Sequence, residues 1–318
     1  MWKGDRTVNT PTRLAAFALG LVVVLGGAAG IGHAVGPLDT GAKKAASSAH
    51  GSNGMPGMPG MPGMSSGQPS AEAPAAGALA AFDRGYALQT RPANLTPGQQ
   101  TDLSFTVRGP NGAPLTSYQE EHGKELHLIL LREDLTQYQH LHPTLAADGS
   151  WHVPVTFPAA GGYRMVADFT PAGATENVTL GTDLAVAGDY QPQPLPAPAT
   201  SAGVDGYTVS MNGQVTAGQS AKLTFEIADT HGLVTDLQPY LGAYGHLVAM
   251  RAGDLGYLHV HPDGEPGDGH TAAGPDVAFY VTVPTAGDYR LFLDFQRAGV
   301  VHTAAFTVHA TASTEEGR

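Results

Sequence analysis

The sequence of 318 residues contains no cysteine. That removes disulfides, thiolate nucleophiles, iron–sulfur clusters and zinc-finger sites together, and with them a lipid-modified cysteine anchor. Charge is also scarce: 14% of residues are charged and the net charge is −12, the wrong sign for a nucleic-acid footprint. No phosphate loop or His-Glu-x-x-His helix occurs, and the one Gly-x-Ser-x-Gly string, Gly63-Met-Ser-Ser-Gly67, falls in a Gly/Pro-rich stretch without the strand-to-helix pattern of a nucleophile elbow, so the chain is expected to bind rather than catalyse. Long segments with a 3.6-residue apolar period are missing too, apart from one stretch near the start. Any metal site must therefore be built from His, Met, carboxylate or Tyr.

That stretch, Leu14 to Leu38, holds no Asp, Glu, Lys or Arg and follows Lys3, Arg6 and Arg13. About 20 apolar residues suffice to span a bilayer core. The basic flank predicts that residues 1–13 stay in the cytoplasm, that 14–38 cross the membrane, and that the rest lies outside it. The alternative is a signal peptide cleaved after export. Residues 39–79 form a Gly/Pro/Ser/Ala linker with too few large apolar side chains to fold. Within it, Met55, Met58, Met61 and Met64 recur at three-residue spacing. Thioether sulfur is a soft donor that favours Cu(I), and an exposed, oxidisable Met run is otherwise a poor choice for an exported tether.

Residues 80–189 and 203–309 are repeats of one another. Phe157-Pro-Ala-Ala-Gly-Gly-Tyr-Arg-Met-Val-Ala-Asp-Phe169 matches Val283-Pro-Thr-Ala-Gly-Asp-Tyr-Arg-Leu-Phe-Leu-Asp-Phe295. Short alternating runs such as Leu103-Ser-Phe-Thr-Val107, cut by turns such as Gly109-Pro-Asn-Gly112, predict an all-β fold: two tandem immunoglobulin-like β-sandwiches. Tyr163 and Tyr289 fall at the corner before a late strand, where a tyrosine hydroxyl bonds back to the chain. The proline-rich segment 190–202 reads as a semi-rigid spacer, and 310–318 as a polar tail.

Each repeat carries three histidines at one spacing: His127, His140 and His142, then His246, His259 and His261, each set ending in His-Pro. If His127 pairs opposite His142, then Ile129 pairs opposite His140, and all three imidazoles share one strand face. Opposed side chains there sit ~5 Å apart at Cβ, close enough to converge on one ion. Imidazole suits Cu(II) and zinc. The set predicts two ions per chain, copper as Cu(I) or Cu(II) with zinc as the other candidate. The competing reading is a buried polar cluster with structural histidines. Asp168 and Asp294, with Arg132, Arg251, Arg164 and Arg290, read as structural ion pairs. His50, His122, His152, His231, His270 and His309 have no counterpart and read as solvated; His302 could add a ligand in the second repeat alone.

The string His127-Leu-Ile-Leu-Leu-Arg-Glu-Asp-Leu, then Gln-His140-Leu-His142-Pro and Gly-Gly-Tyr-Arg, resembles exported bacterial proteins grouped as YtkA-like or heavy-metal-associated sandwich domains. The resemblance implies an exported β-sandwich in metal handling and no established reaction. Together these readings predict a membrane-anchored extracytoplasmic protein that sequesters or delivers copper, with an envelope protein as partner. The alternative is a tandem immunoglobulin-like interaction module of the cell envelope.

Overall fold

Alternation governs how the strands bury themselves. In Gln100–Arg108, Leu103, Phe105 and Val107 point inward and are buried, while Ser104 and Thr106 between them are half-buried. The computed structural model describes residues 76–91, 94–258 and 260–313, all within one compact unit, Gln68–Arg318. The proposed membrane segment, the methionine tract and His259 lie outside the described residues. Among the described residues, no helix is long and apolar enough to cross a membrane.

Each repeat is a pair of antiparallel sheets. In the first, one sheet runs Phe82–Asp83, Tyr86–Thr90, Gln100–Arg108, Ser150–Thr156, Thr144–Leu145. The facing sheet runs Val178–Val186, Gly161–Pro171, His127–Arg132, Gln139–Leu141, with Tyr118–Gln119 beside the long central strand. The second repeat copies this: Ser201–Val204, Tyr207–Asn212, Ser220–Asp229, Asp276–Thr282, His261–Pro262 in one sheet. Val300–Ala310, Gly287–Arg297, His246–Arg251 and Tyr257–Leu258 form the other. Both predicted tyrosine corners are present: Tyr163 donates to the Ala159 carbonyl at 2.9 Å and Tyr289 to Thr285 at 2.9 Å.

Each sandwich encloses its own core, one around Phe105, Trp151 and Tyr163, the other around Phe225, Phe279 and Phe295. A third apolar cluster belongs to neither. It joins Ile129, Leu131 and Val166 of the first repeat to Val248, Met250 and Phe292 of the second, which are the same positions in the repeat. The outer faces of the two histidine-bearing sheets are thus packed against each other with approximate twofold symmetry. Tyr138 stacks flat on Phe292, ring centroids 4.2 Å apart. The hairpin turns take part: Leu135 and Leu255 adopt φ of 62° and 59°, a left-handed conformation costing an L-residue roughly 1–2 kcal/mol, and both side chains are buried in the shared cluster.

The segments flanking the sandwiches are drawn into this arrangement. Gly77 exchanges two backbone hydrogen bonds with Tyr257, at 2.8 and 3.0 Å. The Ala78 carbonyl accepts from Arg164 and runs so close to Gly181 that any side chain there would collide with it. The proline-rich 190–202 stretch, expected to be a spacer, instead lies on the protein: Leu195 packs on the shared cluster and the Gln193 amide donates to Asp134 at 2.8 Å.

Candidate metal centre

The strand pairing in the first hairpin is the register expected from the sequence: Leu128 opposite Leu141 and Ile129 opposite His140. Side chains at 127, 140 and 142 therefore emerge on one face, with Ile129 and Leu131, toward the other repeat. Their ligand atoms all lie within 4.8 Å of one another, and among the described residues this is the one group of three such side chains close enough to hold an ion.

Hydrogen-bond partners fix which ring nitrogens carry protons. His127 Nε2 lies 3.0 Å from the Glu121 carbonyl oxygen; a carbonyl only accepts, so this nitrogen bears the hydrogen. His140 Nδ1 lies 3.0 Å from Asp294 Oδ2, and a carboxylate likewise only accepts. In neutral rings the remaining nitrogens, His127 Nδ1 and His140 Nε2, are then bare lone pairs, and they face each other at 3.1 Å. A third ring nitrogen, His142 Nε2, is buried without a hydrogen-bond partner. Two lone pairs facing each other at 3.1 Å repel unless a cation lies between them. Burial first, then the neighbouring His140, pushes His127 down to about 4, so the His127 ring stays neutral above that value. Burial, then His140 and His127, likewise pushes His142 down to about 3. An ion bonded at ~2.0–2.1 Å to nitrogens 3.1 Å apart subtends an angle of roughly 100°.

The carboxylates behave differently from the expected ion pairs. Asp168 and Asp294, each 1% exposed, reach across the interface to the other repeat. Tyr138 and His140 of the first repeat both bond Asp294 Oδ2 at 3.0 Å, and Thr303 donates to its other oxygen. Symmetrically, Tyr257 donates to Asp168 at 2.8 Å, with Thr179 on its second oxygen. Burial and the adjacent carboxylates hold both tyrosine pKa values well above the usual range, so both stay donors. Arg132, Arg164 and Arg251 do form ion pairs, with Asp134, Asp183 and Asp254. Arg290 donates to Thr307.

In the second repeat His246 is 5% exposed and enters the same cluster, its ring stacked on His127 at 5.4 Å and 4.8 Å from His140. His261 is exposed, on a strand of the opposite sheet. His122, expected in solvent, instead lies part-buried between the repeats, its ring 5.5 Å from His246, 6.2 Å from His127 and 6.5 Å from His261. The cause is a tight turn: Glu121 and Lys124 bridge, and His122 takes φ 52°. Histidine is among the residues enriched at positive φ, but nothing in the sequence marked this turn. A cavity of about 840 Å³ lined by Glu121, His122, His261 and Glu265 opens beside the cluster. His152 and His309 pair with Asp102 and Asp288, His302 with Asp205, and His231 and His270 are exposed.

Comparison with known proteins gives one family match: a domain of unknown function, DUF8832, over residues 80–185 and 202–312. No curated protein matches the chain. Among solved structures, domains 4 and 5 of the S-layer protein SbsC are 13% identical, covering 71% of this chain and 96% of theirs, with a TM-score of 0.20. Yersinia pseudotuberculosis InvD is 15% identical over 74% of this chain and 60% of its own, TM-score 0.22. Invasin, a bacterial integrin-binding protein, is 15% identical over 72% and 39%, TM-score 0.20. At these scores the likenesses carry no functional argument.

Proposed function

The chain belongs to the DUF8832 family, with both repeats matched, and from that premise we propose that it is an extracytoplasmic metal-binding protein that sequesters or delivers copper. The observation that carries this reading is the convergence of His127, His140 and His142, whose ligand atoms all lie within 4.8 Å of one another, with His127 Nδ1 and His140 Nε2 facing each other at 3.1 Å and His142 Nε2 buried without a hydrogen-bond partner. Asp294 holding the far nitrogen of His140 is the arrangement by which carboxylates orient histidine ligands and raise their basicity. Imidazole donors suit Cu(II), zinc and nickel; the methionine run Met55–Met64 tips the choice to copper, with Cu(I) collected on the tether. The membrane anchor at 14–38 and an envelope partner in copper handling remain part of the proposal, and no catalysis is assigned. The strand order and the two tyrosine corners support immunoglobulin-like sandwiches.

A second reading is favoured by the hydrogen bonds across the interface: the histidines are structural, and the chain is an immunoglobulin-like interaction module of the cell envelope. Titration of the full chain in mild detergent with Cu(II), Cu(I) under a competing chelator, zinc and nickel separates the two. Binding that is tightest for copper and lost in the His140→Ala, His142→Ala double variant supports the metal reading. Unchanged binding in that variant, with a lowered melting temperature, hands the molecule to the structural one.

A further inference from the structure

We propose that the metal centre is a single site shared by both repeats, with His246 as a fourth imidazole ligand. This rests on the metal-binding reading above. The ring of His246 lies 4.8 Å from that of His140 and 5.4 Å from that of His127. Within the triad the ring separations are 5.3 Å for His127–His140, 5.1 Å for His127–His142 and 4.8 Å for His140–His142. His246 thus stands about as close to His127 and His140 as those two stand to each other, on the side away from His142, and it is 5% exposed.

Its position is set by the second sheet. His246 is the register partner of Asp294 on the adjacent strand, so the two side chains project from one face of that sheet into the interface. Asp294 holds His140, and His246 stands beside it. The second repeat therefore supplies both a ligand and the carboxylate that positions a ligand of the first. Four nitrogen donors with none reserved for solvent is the closed donor set of a storage or structural site, not the open one of a catalytic centre. The ion would tie the two sandwiches together, and occupancy would be one per chain, not one per repeat.

The test uses the full chain and Cu(II) as probe, reading stoichiometry and affinity by chelator competition and the number of coordinated imidazoles by pulsed electron paramagnetic resonance. One ion per chain is expected. His246→Ala and the bulkier His246→Gln should each lose one imidazole and weaken binding by on the order of 100-fold. Far-ultraviolet circular dichroism of each variant checks the fold, and the imidazole count is read on folded protein, with His246→Gln as the variant that keeps most of the side-chain volume. An unchanged count and affinity in both His246 variants, with binding lost in His142→Ala, overturns the shared site and leaves the triad. Affinity unchanged in His142→Ala as well overturns the metal reading itself. Two ions per chain overturns the shared site.

Discussion

The two hairpins are near copies in sequence, yet His142 stays with its triad while its counterpart His261 is captured by the opposite sheet, opposite Tyr280. The connection to the facing strand is longer after His261, residues 262–275 against 143–149, and one residue on that strand also differs in its backbone donor. Tyr280 corresponds to Pro154 in the first repeat. The Ala278 carbonyl accepts from Asp263, and the Ser150 carbonyl accepts from Ala146. Backbone groups two residues apart point the same way, so the amides at 280 and 154 are both directed at the strand carrying the last histidine. Tyr280 has a donor there and extends the ladder back to His261. Proline has none, the ladder stops at Thr144, and His142 is left to turn toward the partner sandwich. Identical ligands in a duplicated frame can thus be sorted into a site and a surface by the length of a connection and by a backbone donor that is present in one copy and missing in the other.

The strongest way to sharpen this contrast is to delete each histidine in turn. His142→Ala should weaken copper binding on the order of 100-fold or more, while His261→Ala changes it little; equal losses would erase the asymmetry. Next in size is the response of metal-free protein to acid. His127 titrates near 4 in the fold against 6.5 unfolded, so the native state binds fewer protons between those values and stability rises with pH across that window. Acidification from pH 6.5 to 4 should therefore cost up to about 3 kcal/mol from this residue. Chemical denaturation across pH checks it: the slope should shrink in His127→Gln and persist in His261→Gln.

The interface tyrosines test where the halves are alike. Tyr138→Phe and Tyr257→Phe each remove a hydrogen bond to a buried carboxylate, worth about 1.5–3 kcal/mol. Urea unfolding should show similar losses; a loss confined to one variant would mean the twofold symmetry is only apparent. The smallest expected effect is Pro154→Tyr, which restores the donor facing His142 and should lower copper affinity by about tenfold, or 1.4 kcal/mol. Unchanged affinity would remove proline from the explanation.

Much of this was legible beforehand. The period-2 alternation, the tyrosine corners and the hairpin register all follow from local rules, and they place His127, His140 and His142 together. The docking of the sheets was not read, although a signal existed. Leu128-Ile-Leu-Leu131 is a continuous apolar run, and Leu247-Val-Ala-Met250 is another; every residue of both is buried. Such runs mark strands covered on both faces, so the histidine face had to be sheltered by something. What covered it could not be named from one repeat alone, because the partners of Asp168 and Asp294 lie about a whole repeat away in sequence. His122 and the role of Pro154 depend on tertiary pairing with no local trace.

The connector between the repeats bears on how such a polar interface holds at all. Tyr190 sits under Arg132, with the guanidinium 5.6 Å from its ring, and the chain then runs along the protein to Ser201. Two separate sandwiches meeting through buried carboxylates, tyrosines and histidines would associate as strangers at their cellular concentration. Joined by a short strap, each sees the other at an effective concentration on the order of millimolar. Docking that would be too weak for free partners then keeps the halves closed nearly all the time. Cleavage within Pro194–Ala199 would exchange that local concentration for the bulk one, and the halves of the histidine cluster would drift apart on dilution.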